Sequence, residues 1–215
     1  MPYDALKQYF EHCPTRLIGR GTLLLHARHT TNEILLLLSG FVRASSITPA
    51  GQTRLVALHG PDDLVPIETL FSDEPDFFFY TAVTDVSVQA CSKTSLRTAA
   101  QSDLTLCTAL LSRALTAARA YAVRIQNLEL KNARQRIIFR LLYLTERFGL
   151  RSQDDRWMLP LPITYQDLAD AVNITRETAN REVRILMKEG LVKKQRGRLV
   201  VLRRQYLKTL LESST

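Results

Sequence analysis

Five residues near the C-terminal end carry the most informative chemistry. Between Thr175 and Gly190, Arg176, Glu177, Asn180, Arg181 and Arg184 recur at i, i+1, i+4, i+5 and i+8, while Ala179, Val183 and Leu186 fall on the other side of the same helical period. The paired donors of an arginine match O6 and N7 of guanine, and a carboxylate accepts from the amino group of cytosine, so this face can read adjacent G·C pairs in a major groove. Local stability does not explain Arg176, because a positive charge in a first helical turn opposes the helix dipole. A solvated face with Glu177 paired to Arg181 is the blander account of the same residues, and such exposed pairs contribute only about 0.3–0.5 kcal/mol.

The surrounding sequence supplies the elements that would hold this face. Thr164, with Asp167 three residues on, opens a helix in the manner of a capping box, and Leu168, Ala169, Ala171 and Val172 are its inward residues. Asn173 ends it, since asparagine tolerates the left-handed conformation of a tight turn. Thr175 caps a second helix that runs from Arg176 to about Glu189 and stops at Gly190. Two helices across so short a turn make a helix-turn-helix. Residues 191–202 then read as a hairpin with a basic tip, whose Lys193, Lys194, Arg196 and Arg198 suit phosphate contacts, as they would suit a solvated surface; Arg184 is assigned to phosphate with them.

The charge distribution agrees. Residues 1–115 hold nine Lys and Arg against eleven Asp and Glu, whereas residues 116–215 hold twenty against ten. A basic excess confined to one end suggests a polyanionic partner, because neutralising phosphates releases condensed counterions. The composition, 46% apolar and 23% charged, fits a folded, soluble protein. No apolar run is long enough to cross a membrane, and the start Met1-Pro2-Tyr3-Asp4 has neither a basic leader nor a hydrophobic signal core, so a cytoplasmic protein without membrane contact is expected. Cys13, Cys91 and Cys107 are far apart and form no metal-ligand spacing; they read as small buried apolar residues in a reducing compartment, with a thiol sensor as the alternative.

From Gly19 to about Leu96, short runs rich in Leu, Val, Thr and Phe alternate with turn residues, the pattern of an antiparallel sandwich or barrel. No nucleophile motif, phosphate loop or histidine–carboxylate cluster occurs there, so no enzymatic activity is expected. Residues 102–148 contain neither proline nor glycine and read as a long helical region. Leu110, Ala114, Ala117, Tyr121, Ile125 and Leu128 form an apolar stripe along it, suited to a two-stranded seam between protomers or to packing on the β-domain. Asn132 can cap a second helix, 133–148, and residues 149–162 form a polar, proline-containing connection to the terminal domain. The fold class is therefore α+β.

Thr175-Arg176-Glu177-Thr178-Ala179-Asn180-Arg181 resembles the start of the recognition helix in the CRP/FNR family, and the order of elements is similar over nearly the whole chain. The resemblance implies an N-terminal antiparallel β-roll sensor of the cyclic-nucleotide-binding kind at 1–101, a long dimerisation helix at 102–131 and a winged helix-turn-helix at 132–215. It also implies a homodimer on double-stranded DNA, half-sites close to TGTGA and an output through RNA polymerase. Base reading carries onto Arg176, Glu177 and Arg181, and phosphate contact onto Thr164, Thr175 and Thr178. Asn173 stands where the family has a turn glycine, and Asn180, counted with the base readers, where it has a small residue. The sensor departs further. The family holds a cyclic phosphate with a Gly-Glu pair and a later Arg-Ser, whereas this chain reads Val65-Pro66-Ile67-Glu68-Thr69-Leu70-Phe71 and Pro75-Asp76-Phe77-Phe78-Phe79-Tyr80. Without an arginine that segment cannot neutralise a buried phosphate. No cofactor is expected, cyclic AMP is not the expected effector, and any small-molecule effector is left unnamed. Haem through His12, His26, His29 or His59, which read as surface or loop histidines, is the remaining alternative beside thiol sensing. Residues 77–80 read as sandwich core or as the lining of an apolar effector pocket.

Overall fold

The computed structural model describes residues 2–152, 154 and 156–212. The chain divides into two compact units, residues 1–121 and 122–215.

Unit one is built on eight strands: β1 (Thr15–Ile18), β2 (Leu23–Leu25), β3 (Glu33–Ser39), β4 (Val42–Ile47), β5 (Thr53–His59), β6 (Leu64–Val65), β7 (Phe79–Ala82) and β8 (Val86–Ser92). They form two antiparallel four-stranded sheets, ordered β1-β8-β3-β6 and β2-β7-β4-β5. The run Ile34–Leu38 has no polar alternation because β3 is covered on both faces. Leu35 and Leu37 enter the core between the sheets with Val42, Ala44, Val65, Tyr80 and Val88. Ile34 and Leu36 point the other way, toward Leu6 and Phe10 of α1 (Pro2–Phe10), Leu96 of α2 (Lys93–Ser102) and Leu106 and Leu110 of α3 (Leu104–Glu129). Gly40 reverses the chain between β3 and β4 at φ +83°, where a Cβ would run into the Asp85 carbonyl. Of the aromatic run, Tyr80 is core and Phe77 is exposed.

Two expectations are corrected in this unit. Cys13 and Cys91 are joined as a disulfide, Cα–Cα 5.5 Å, leaving Cys107 as the free thiol. The reason is register: β1 pairs Thr15 with Gln89 in the antiparallel sense, and two residues further along the same register set Cys13 opposite Cys91. His59, read as a surface or loop histidine, is buried at the end of β5, with Nδ1 3.9 Å from Asp63.

Of the two accounts of the apolar stripe on α3, packing on the β-domain holds for four of its six residues. Leu110 and Ala117 are buried in unit one's own core, Ala114 packs against the same cluster, and Tyr121 hydrogen-bonds Glu68. These four are therefore not available to a second protomer. The exposed side of α3 is instead Leu104, Thr108, Leu111, Leu115, Ala118, Ala122 and Ile125, a repeat of alternating four- and three-residue steps; Leu128 is exposed as well. Both stripes are apolar because the helix is rich in Leu and Ala on nearly every side, and only packing against the sheet distinguishes them.

Unit two begins in the last turns of α3. Asn132 caps α4 (Ala133–Phe148) in a reciprocal box with Gln135. The connection 149–162 is more than a linker: it contributes β9 (Leu150–Arg151) and β10 (Trp157–Met158), while residues 153 and 155 within it lie outside the described residues. After α5 (Tyr165–Val172) and α6 (Arg176–Lys188), β11 (Val192–Gln195) and β12 (Arg198–Val201) complete a sheet ordered β11-β12-β10-β9, and α7 (Arg204–Glu212) follows. No described helix is long and apolar enough to cross a membrane.

Candidate nucleic-acid interface

The local signals around α5 and α6 are realised as geometry. The Thr164 hydroxyl accepts from the Asp167 amide at 3.0 Å and donates to the Asp167 carboxylate at 2.7 Å, and that carboxylate accepts from the Thr164 amide at 2.9 Å. Asn173 sits in the left-handed region at φ 58°, ψ 52°. Thr175 accepts from the Thr178 amide at 3.2 Å, with the two hydroxyls 3.0 Å apart, so both threonines are gathered at the start of α6. Arginines from either side finish the last turn of α5: Arg124 donates to the Ala171 carbonyl at 3.1 Å and Arg136 to that of Val172 at 3.5 Å. Arg134 on α4 grips Glu189 at the end of α6 through two bonds of 2.9 and 2.6 Å. The outer helix is thus pinned at its distal end by a bidentate pair.

Ala179, Val183 and Leu186 are fully buried, and Arg176, Glu177, Arg181 and Arg184 are exposed on the other side with Asn180 half-buried beside them. Glu177, Asn180, Arg181 and Arg184 line one open groove of about 370 Å³ along this face, together with Ile185 and Lys188. Arg181 pairs with Glu182 rather than with Glu177. Beyond α6, Arg196 and Gly197 both take positive φ at the hairpin tip, which presents Lys194, Arg196 and Arg198 to solvent and leaves Lys193 half-buried. The Lys194 ammonium lies 5.3 Å from the Tyr165 ring centroid, tying the hairpin to the start of α5. The base-reading and phosphate candidates therefore share unit two. Glu182 was not among them, although its place between Ala179 and Leu186 puts it on the inward stripe.

A second polar site lies inside unit one. Glu68 accepts a hydrogen bond from Tyr80 at 3.1 Å and another from Tyr121 of α3, with the Phe78 ring tilted against that of Tyr121, centroids 5.8 Å apart. Burial raises the Glu68 carboxyl, and the Tyr80 bond partly opposes the shift. Asp76 is buried nearby, pushed up to about 6 by desolvation first and by the charge of Glu68 second; its Oδ2 has no partner among the described residues. Lys93, whose ammonium donates to the Ser72 carbonyl at 2.6 Å, offsets part of that. Of the histidines, His26 and His29 meet edge to face with ring centroids 4.8 Å apart, and no cluster of His, Cys, Asp or Glu suited to a metal occurs among the described residues.

An N-terminal β-roll and a C-terminal winged helix-turn-helix with an exposed basic face define the class: a DNA-binding transcription regulator. Comparison with known proteins gives the family. A cyclic nucleotide-binding domain matches residues 15–103 and a Crp-like helix-turn-helix domain matches residues 135–210. The chain is 24% identical to the Anaerobic regulatory protein of Bacillus subtilis, over 92% of this chain and 83% of that one. It is 29% identical to the Transcriptional regulator SdrP of Thermus thermophilus, over 82% of each. The solved structure of FixK2 from Bradyrhizobium japonicum superposes with a TM-score of 0.81 at 24% identity, covering 92% of this chain and 96% of that one. The chain belongs to the CRP/FNR family of transcription regulators, which are not enzymes.

Proposed function

We propose that this chain is a homodimeric, sequence-specific regulator whose α6 enters the major groove of a pseudo-palindromic site, with half-sites close to TGTGA about one helical turn apart. Arg176, Glu177, Asn180 and Arg181 read bases. Thr164, Thr175, Thr178, Arg184, Lys193, Lys194, Arg196 and Arg198 engage phosphates. The observation that carries this reading is the grouping of Arg176, Glu177 and Arg181 on one exposed face of α6, with the half-buried Asn180 beside them and the capping threonines at the start of the helix. Dimerisation uses the exposed face of α3 through Leu104, Leu111, Leu115 and Ile125, and the output is recruitment or obstruction of RNA polymerase in the cytoplasm.

The effector is something other than cyclic AMP, or none. The residues at the sensor site do not fit a cyclic phosphate: two carboxylates, the half-buried Glu68 and the buried Asp76, and the aromatic rings of Phe78, Tyr80 and Tyr121 occupy it, and Lys93 is already engaged by the Ser72 carbonyl. The Cys13–Cys91 disulfide favours a second reading, thiol control of the same regulator. Reduction by a dithiol would add two electrons and two protons to give two thiols, and DNA affinity would change with it.

Fluorescence anisotropy on a TGTGA-N6-TCACA duplex and a scrambled control, at about physiological salt, tests the assignment. Arg181→Ala should weaken specific binding by about 1–3 kcal/mol and leave the scrambled duplex nearly unaffected. Lys194→Ala should weaken both and lower the salt dependence. Equal weakening of both duplexes by Arg181→Ala would remove the base-reading role.

A further inference from the structure

Glu182 is the exception in the α6 packing pattern. Ala179, Glu182, Val183 and Leu186 are the buried residues of α6, and three of the four are apolar. A carboxylate in such a place is unfavourable unless it is bonded. Glu182, 8% exposed, is bonded to Arg181: its Oε1 accepts from Nε at 3.2 Å and from Nη2 at 3.1 Å. The two ends of this pair differ in environment. The glutamate side chain is anchored within the packed side of the helix, whereas the arginine side chain is 66% exposed.

The geometry leaves a defined set of donors free. A guanidinium has five N–H groups in a fixed plane. Glu182 occupies the edge formed by Nε and Nη2, so both N–H groups of Nη1 and the second of Nη2 remain. That end presents two parallel donors, the arrangement that meets O6 and N7 of guanine. An unrestrained arginine on a solvent-facing helix must surrender rotamer freedom to hold that end against a base. One gripped from behind by a buried carboxylate has already lost it.

We propose that Glu182 is a positioning residue for DNA recognition, holding Arg181 by its Nε/Nη2 edge so that the Nη1/Nη2 end faces guanine in the major groove. This rests on the reading that α6 enters the major groove. Glu182 itself touches no base; it acts through Arg181 and raises preference for guanine at one position of the half-site. The opposite role, a latch that withholds Arg181 from DNA, predicts the reverse effect of removing it.

The test uses the full chain and a pool of randomised duplexes, selected by binding and sequenced, for wild type, Glu182→Leu, Glu182→Gln, Arg181→Ala and the Arg181→Ala/Glu182→Leu double variant. Leucine suits the buried stripe and removes the acceptor; glutamine keeps an oxygen within reach of Arg181. Thermal unfolding and affinity for random DNA at low salt report on the fold. The guanine position lost in Arg181→Ala should lose on the order of tenfold of its preference in Glu182→Leu, recover partly in Glu182→Gln, and show no further loss in the double variant. If that guanine survives Glu182→Leu, if the two losses simply add, or if Glu182→Leu sharpens the preference, the positioning role is wrong. If the wild type enriches no motif, base reading by α6 falls, and the role of Glu182 with it; a motif other than TGTGA leaves the comparison intact.

Discussion

Leu115→Ala and Leu110→Ala change chemically identical side chains little more than one helical turn apart, and they should have opposite consequences. Leu115 is 62% exposed on the outer face of α3, whereas Leu110 is 1% exposed and packed in a cluster with Leu106, Ala109, Ala117 and Leu36. Burying a whole leucine is worth about 1.5–3 kcal/mol, so covering the exposed part of Leu115 at a seam supplies about 1–2 kcal/mol per protomer. A symmetric dimer counts it twice. Leu115→Ala should therefore raise the dimer dissociation constant about 30-fold to several-hundred-fold while leaving the thermal stability of the monomer within about 0.5 kcal/mol. Leu110→Ala instead opens a cavity inside one protomer, and about 2–5 kcal/mol of stability should be lost. Sedimentation equilibrium over a concentration series measures the first quantity and calorimetric unfolding the second. The phase assigned to α3 would be refuted by a Leu115→Ala dissociation constant within threefold of wild type, or by a Leu110→Ala variant of normal stability that fails to dimerise.

Three further outcomes follow from the same contacts. Asp76 is held at about 6 against an ordinary 3.8, so the folded state binds its proton more tightly than the unfolded chain. The stability this lends is full below about pH 4 and lost as the pH rises through 6; Asp76→Asn should flatten that slope and add on the order of 1–3 kcal/mol above pH 6, checked by denaturant titrations across pH 4.5–8. At the left-handed Asn173, alanine should lower stability by about 1–2 kcal/mol and glycine by a few tenths at most, or raise it, in thermal unfolding at one pH. Thiol titration of the oxidised protein under denaturing conditions should find one reactive cysteine, Cys107, rising to three after treatment with a dithiol; three before treatment would remove the Cys13–Cys91 bond and the thiol reading with it.

The elements around α6 were legible because their signals are local. Thr164 with Asp167, Asn132 with Gln135, Thr175 ahead of Arg176 and the left-handed Asn173 each act within a few residues of backbone, so residue type and spacing suffice. The β-rich stretch from Gly19 to about Leu96 was equally plain, whereas β9 and β10 were hidden in a short polar segment, where β10 pairs along the edge of β12 and β9 along β10.

What the sequence determined by itself is the succession of β-domain, long helical region and winged helix-turn-helix, the caps at Asn132, Thr164 and Thr175, and the outward face of α6, since periodicity and capping are properties of one segment; the helices α1, α2 and α7 were not read from it. Tertiary structure decided which apolar stripe of α3 is core, that Cys13 stands opposite Cys91, that Glu68 meets Tyr80 and Tyr121, and that Asp76 and Glu182 are buried. Those facts depend on strand register and on which surfaces meet. A helix apolar on most sides and a carboxylate on a polar-looking stretch look alike in sequence whether they face the core or water, and packing alone distinguishes them.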